Sequence, residues 1–200
     1  MRLAVASLAC IATACAAPAT TPAPVTVSPP AKAAPLPLTY AIANASFEEA
    51  FPPGRGCPPR WGCSVHADGS SFRFAPDAAG AVEGRQSLLV ERVGKEPWAT
   101  VTQSFKAEPL RGQRVRFSPA VRAQGVEGDG AGPWLLVNGG GEVLDHQVRR
   151  VVGTANWQRQ VIEIVVPPRA EYLSVGGTLE GGGRAWFDDA KLEILGPAAR

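Results

Sequence analysis

The sequence predicts an all-β fold in which two antiparallel sheets pack into a sandwich, and three observations lead there. Apolar residues come in short alternating runs, broken by Gly and Pro about every ten residues. No segment repeats its apolar residues at helical spacing. The two ends also match. Asn44, Ala45, Ser46, Phe47 and Glu48 read as a first strand, and Trp186, Phe187 and Asp188 lead into a last strand ending near Ile194, so that the two strands pair. Alternation buries one face of each sheet, and two sheets closed over one another bury both inner faces.

Each element has its own signal. Residues 71–74 alternate, and residues 87–93 form a Leu/Val run that ends in charges. Residues 98–106 carry Val101 and Phe105 at even spacing. Residues 114–122 place Val115, Phe117 and Val121 on one face and Arg114, Arg116 and Arg122 on the other. Residues 134–137 run into Asn138 and three glycines, a turn signal, with a return strand over 141–152. Ile162, Ile164 and Val166 share a face in a strand that stops at Pro167 and Pro168, which cannot continue a central ladder. Residues 172–175, and residues 186–195 after the glycines at 181–183, complete about nine strands.

The first residues lie outside that fold. Met1 and Arg2 give a positive start, and residues 3–17 are small and almost wholly apolar. Such a run is shorter than the roughly 20 residues a membrane-spanning helix needs, and it reads as an export signal over residues 1–16. Ala12, Thr13 and Ala14 before Cys15 resemble a bacterial lipoprotein cleavage box with Cys15 as the lipidated residue, although Ala12 replaces the usual Leu. The expected location is then the periplasm or outer membrane, held by a lipid anchor. Cleavage after Ala14 or Ala16, releasing a secreted protein, is the alternative. Residues 17–37 are mostly Pro, Ala and Thr with one charge, Lys32, and read as an extended tether. Residues 38–196 are the predicted sandwich, large enough to bury about 70% of its unfolded surface, and 197–200 a tail.

Charge and cysteine usage narrow the function. Lys and Arg total 20 against 18 Asp and Glu, so no basic field is available for nucleic acid. Cys57 and Cys63 are expected to form a disulfide outside the cytoplasm, worth about 2 kcal/mol for so short a loop. Their spacing is wrong for a two-residue redox motif, and two histidines are too few to complete a zinc site. The glycine clusters precede no helix, so they are turns rather than phosphate cradles. His146 beside Asp145, with Ser118 or Ser174, lacks the nucleophile turn and oxyanion donors of a hydrolytic triad, and no catalytic residue is expected.

Several motifs occur in an ordered series: Asn44 to Glu48; Pro59, Arg60 and Trp61; Gly84, Arg85, Gln86, Ser87 and Leu88; Val101, Thr102 and Gln103; Gly153, Thr154, Ala155, Asn156 and Trp157; Val166 and Pro167; and the close from Trp186 to Ile194. The series covers nearly all of residues 39–195 and resembles the galactose-binding-like jelly rolls, within them the carbohydrate-binding modules of bacterial cellulases and xylanases. The nearest resemblance is to the accessory domain found with erythromycin-esterase-like and carboxy-terminal-processing-type peptidase proteins. Pro133, Trp134 and Leu135 stand at that domain's Leu-Trp pair, while Asp145, His146 and Gln147 replace its Asp-Asn-Met. Ending at Arg200, the chain is expected to be the accessory module by itself.

The resemblance implies non-catalytic carbohydrate binding. It also implies a structural calcium ion held by Glu48 with Asp188 and Asp189, backbone carbonyls completing the six to eight oxygens such an ion takes. If Leu135 and Val137 face the core, Trp134 faces outward and can stack on a sugar ring. Arg116, Arg122 and Arg149 would add donors from neighbouring strands, with His146 nearby. Trp61, Trp157 and Trp186 are expected in the core or under loops, and Trp98 is unassigned. A partner protein of the cell envelope is the alternative to a carbohydrate, and an enzyme of unknown type is the third reading.

Overall fold

The computed structural model describes residues 38–52 and 56–198. The export signal, Cys15 and the tether lie outside the described residues. Among these, thirteen strands and two 3-10 turns account for the regular structure. The strands are β1 (Leu38–Tyr40), β2 (Gly62–Val65), β3 (Phe72–Asp77), β4 (Ser87–Arg92), β5 (Trp98–Lys106), β6 (Gln113–Phe117) and β7 (Ala120–Gly139). They continue as β8 (Glu142–Val148), β9 (Val151–Arg159), β10 (Ile162–Val165), β11 (Tyr172–Glu180), β12 (Arg184–Asp188) and β13 (Leu192–Pro197).

Two antiparallel sheets result. The smaller has the order β1-β13-β6-β10. The larger runs β2-β5-β11-β7-β12-β4-β3, with β8 and β9 also paired to β7. The core lies between them: Val115, Phe117, Ile162 and Leu192 from the smaller sheet meet Val101, Leu135, Val137, Leu173 and Val175 from the larger. All are at most 2% exposed, as period-2 alternation against a single core requires. The first and last strands do pair, but the first is β1 and not residues 44–48: Leu38 stands opposite Ile194 and Tyr40 opposite Leu192.

Among the described residues thirteen strands stand where about nine are expected, and the return strand read over 141–152 is divided between β8 and β9. Three other differences have a local reason. Residues 44–48 form a turn rather than a strand. Asn44 and Phe47 have φ of 50° and 56°, and the Asn44 side chain accepts from Glu49 N and donates to Pro59 O. The expected strand at 114–122 is two strands in different sheets, because Ser118 and Pro119 interrupt the ladder between β6 and β7. The expected final strand is likewise two, β12 in the larger sheet and β13 in the smaller, with Asp189 turning the chain at φ 45°. The glycine-rich stretch from 125 to 132, which carries no strand signal, is part of the 20-residue β7. There the register with β9 shifts repeatedly, as an irregular, glycine-bent strand allows.

The two glycine clusters are turns. Gly140 and Gly141, at φ 62° and 77°, make the two-residue link from β7 to β8 that a primed hairpin turn requires. Gly181, at φ 118°, presses against β7, and a Cβ there would stand 2.0 Å from Glu127 O. Gly181→Ala is therefore expected to destabilise the domain by about 2 kcal/mol or more, read as a lowered Tm in calorimetry. The Cys57–Cys63 disulfide is formed, closing the loop beneath which Trp61 stacks on Phe47 at 5.2 Å between ring centroids.

Candidate functional site

The outward face of the larger sheet builds a groove. Strand register sets its floor in rows: Thr102, Gly176, Trp134 and Val148 lie opposite one another on β5, β11, β7 and β8. The next row holds Ser64, Thr100, Thr178 and Gly132, and the next Trp98, Glu180 and Gly130. Glycines at 130, 132 and 176 keep the floor low between the two tryptophans. Two strand spacings of about 4.8 Å and four residues of about 3.4 Å set the backbone positions of Trp98 and Trp134 about 17 Å apart on a diagonal. The groove encloses about 500 Å³ and is lined by both tryptophans, His146, Val148, Arg150 and the hydroxyl-bearing Ser64, Thr100, Thr102 and Thr178. A second hollow of about 260 Å³ shares Trp98 and Glu180 with it and reaches Arg92 and Asp129.

Both tryptophans are half-buried, with aromatic neighbours. His146 meets Trp134 edge-on at 6.3 Å, and His66 meets Trp98 edge-on at 5.8 Å. His66 Nδ1 is also 2.7 Å from Glu96 Oε2. The indole N–H of Trp134 is buried without a hydrogen-bond partner, a cost of about 1–3 kcal/mol where an acceptor is missing. Arg150 donates to Glu180 at 2.6 Å, so the charges at this end are compensated within the groove.

The arginines expected beside Trp134 are elsewhere. Arg116 belongs to β6 in the other sheet, where it donates to Glu163 at 2.7 Å and lies 3.7 Å from Glu193. Arg122 sits over Trp186 at 4.0 Å and lies farther from the Trp157 ring, at 6.0 Å, and Trp186 in turn donates to Asp77. Arg149 donates from Nε to Val161 O at 3.3 Å. The neighbouring Arg150 enters the groove instead, because residues 149–150 are an irregular crossing between β8 and β9 where alternation does not hold. Trp98, unassigned from sequence, is the second groove tryptophan. Its place on alternating β5, out of phase with Ala99, Val101 and Gln103, was the available signal. Trp61 and Trp186 are buried, as expected.

The three acids expected to hold calcium do not converge. Glu48 Oε1 accepts from the backbone N–H groups of Arg85 and Gln86 at 2.8 and 3.0 Å. Asp188 is fully buried, with Oδ2 accepting from Val82 N and Glu83 N at 2.6 and 3.0 Å and Oδ1 from Asp189 N at 2.7 Å. Asp189 is paired with Arg159 and with Lys191 at 2.9 Å. Among the described residues no group of three or more His, Cys, Asp or Glu is placed to hold a metal ion. This donor set fits N–H groups and cations already in the protein and does not fit calcium.

These contacts are expected to make the fold acid-sensitive. Backbone donors from Arg85 and Gln86 hold the Glu48 carboxyl below its usual range. Burial raises Glu91 and Asp189, but Arg184 and Arg73 outweigh it at Glu91, and Lys191 and Arg159 at Asp189, so both end lowered. A carboxyl with a lowered folded-state pKa adds stability above its unfolded value that is lost as pH falls through the folded value. Asp188 runs the other way, because burial raises it more than its backbone donors lower it. The net expectation is a Tm that is flat near neutrality and falls below about pH 4, measured by thermal melts across pH 2–7.

His146, Asp145, Ser118 and Ser174 are not assembled for catalysis. Asp145 accepts from Gln147, and Ser174 shares a hydrogen bond with Ser104 at 2.8 Å. Ser118 is buried at the opposite end of β7 from the groove.

Comparison with known proteins places the architecture. No protein-family model matches the chain. Several solved structures share its fold. The C-terminal family 22 carbohydrate-binding module of Clostridium thermocellum Xyn10B aligns over 80% of this chain and all of its own, with TM-score 0.51 and 17% identity. The module TmCBM61, solved with β-1,4-galactotriose, aligns over 76% of this chain and 95% of its own, with TM-score 0.53 and 17% identity. The enzymatically active domain of tailspike protein 4 of bacteriophage CBA120 aligns over 76% of this chain but 21% of its own, with TM-score 0.57 and 11% identity. The fold is a jelly-roll β-sandwich. In sequence, 112 residues are 31% identical to YbfP, an uncharacterized HTH-type transcriptional regulator of Bacillus subtilis (strain 168). That match spans 54% of this chain and 37% of the regulator's length.

Proposed function

We propose that this jelly roll is a non-catalytic module that binds a carbohydrate in the groove between Trp98 and Trp134. The observation that carries the reading is the pairing of two half-buried tryptophans across a floor of Ser and Thr hydroxyls and glycines. Aromatic faces take the apolar faces of sugar rings, and hydroxyls answer their hydroxyls. The diagonal spacing suits an oligosaccharide rather than a single sugar. Fold likeness to modules named as carbohydrate-binding supports the reading without deciding it. The 112-residue similarity to part of a longer regulator agrees with a recognition module carried by different proteins.

The finer proposal is an exported module, lipidated at Cys15 and held off a membrane by residues 17–37, of the accessory kind found with esterase-like and peptidase proteins. A protein partner in the envelope is the second reading, favoured by the exposed Val143 and Val152 on β8 and β9, the strands flanking the groove. A glycan-array and polysaccharide retention screen of the full chain tests the first against the second. Reproducible retention on one glycan class supports the carbohydrate reading. Silence from folded protein overturns it and moves the question to cross-linking in the native envelope.

A further inference from the structure

We infer that His66 and His146 are positioning residues for the groove, each fixing the orientation of one tryptophan through a ring-edge contact. The inference rests on the carbohydrate reading for its purpose, not for its geometry. The chain has two histidines, and each stands edge-on to one of the two groove tryptophans, at interplanar angles of 77° and 80°. The buried tryptophans are held differently: Trp61 donates to Asn44 O at 3.0 Å and Trp186 to Asp77 Oδ2 at 2.5 Å. No such bond ties the Trp134 N–H, which leaves its face to packing contacts, the His146 ring among them. A fixed face loses less freedom on binding than a mobile one.

Glu96 fixes the His66 ring in turn, with Oε2 2.7 Å from Nδ1. His146 lies opposite Leu136 of β7 and beside Asp145, which is already bonded to Gln147. The orientation of each groove indole, and with it affinity, therefore follows the ring beside it.

The test has two arms. In the ligand-free full chain, the indole N–H resonances of Trp98 and Trp134 are expected to shift in His66→Ala/His146→Ala, those of Trp61 and Trp186 to stay, and the His66→Phe/His146→Phe variant to bring them back toward their original positions. Unmoved Trp98 and Trp134 resonances in the Ala variant overturn the inference. In the second arm, binding of xylohexaose and β-1,4-galactotriose is titrated. His66→Ala/His146→Ala is expected to weaken it about three- to tenfold, and the Phe variant to restore it. Equal affinity in the Ala and Phe variants overturns the positioning role. Shifts in the first arm with neither sugar bound support the ring contacts and count against the carbohydrate reading alone.

Discussion

Asp188→Ala is expected to destabilise the domain by about 3–5 kcal/mol, a fall in Tm of about 10 °C or more for a domain of this size. The carboxylate is fully buried and is the acceptor for three backbone N–H groups, those of Val82, Glu83 and Asp189. Alanine leaves all three donors without their acceptor, and each lost acceptor is costly. The same side chain ties the 82–83 loop to the point where β12 leaves the larger sheet for β13, so its loss also loosens the crossing between sheets. Asp188→Asn separates acceptor from charge. It keeps one oxygen for Val82 and Glu83 and opposes an NH₂ to Asp189 N, and it removes a charge whose burial is unfavourable. A smaller loss than for alanine is expected. Chelator is expected to leave the Tm unchanged, since protein N–H groups do the work assigned to calcium. A Tm that drops with EDTA and recovers with calcium would sink this account.

Trp134→Ala is the second large effect, and it acts on binding with little on folding. Tryptophan in the centre of a recognition surface is among the residues whose truncation costs about 2 kcal/mol or more, so retention on a bound glycan should weaken roughly thirtyfold or more. Trp134 is half-buried on the outward face, while Leu135 on the same strand is fully buried. The Tm should therefore move by only a few degrees, and by contrast Leu135→Ala should destabilise the domain by about 2–5 kcal/mol. Trp98→Ala should weaken retention in the same direction. Unchanged retention in both variants would remove the groove as the binding site.

Much of this was legible from residue order. Alternation placed Leu135 and Val137 inside and Trp134 outside, and marked β5 and β10 nearly to the residue, because a period of two needs only one buried face to be informative. The Cys57–Cys63 bridge and the glycine turns followed from local chemistry. The arginines show where such reasoning stops. Arg116 and Arg122 lie on one face of an apparently continuous strand, yet Pro119 sends them to different sheets. Arg149 and Arg150 exchange roles at a crossing where the period lapses.

Sequence by itself therefore determined the fold class, the sandwich core and the outward side of each regular strand, since these depend on alternation and turn chemistry within a few residues. Only the tertiary structure decided which outward residues are neighbours. Trp98 and Trp134 are 36 positions apart and share a groove because β11 pairs with both β5 and β7. Glu48, Asp188 and Asp189 share a region of sequence logic but not a site, because each carboxylate meets its own donors first. Strand order across a sheet is set by long-range pairing, which no local pattern encodes.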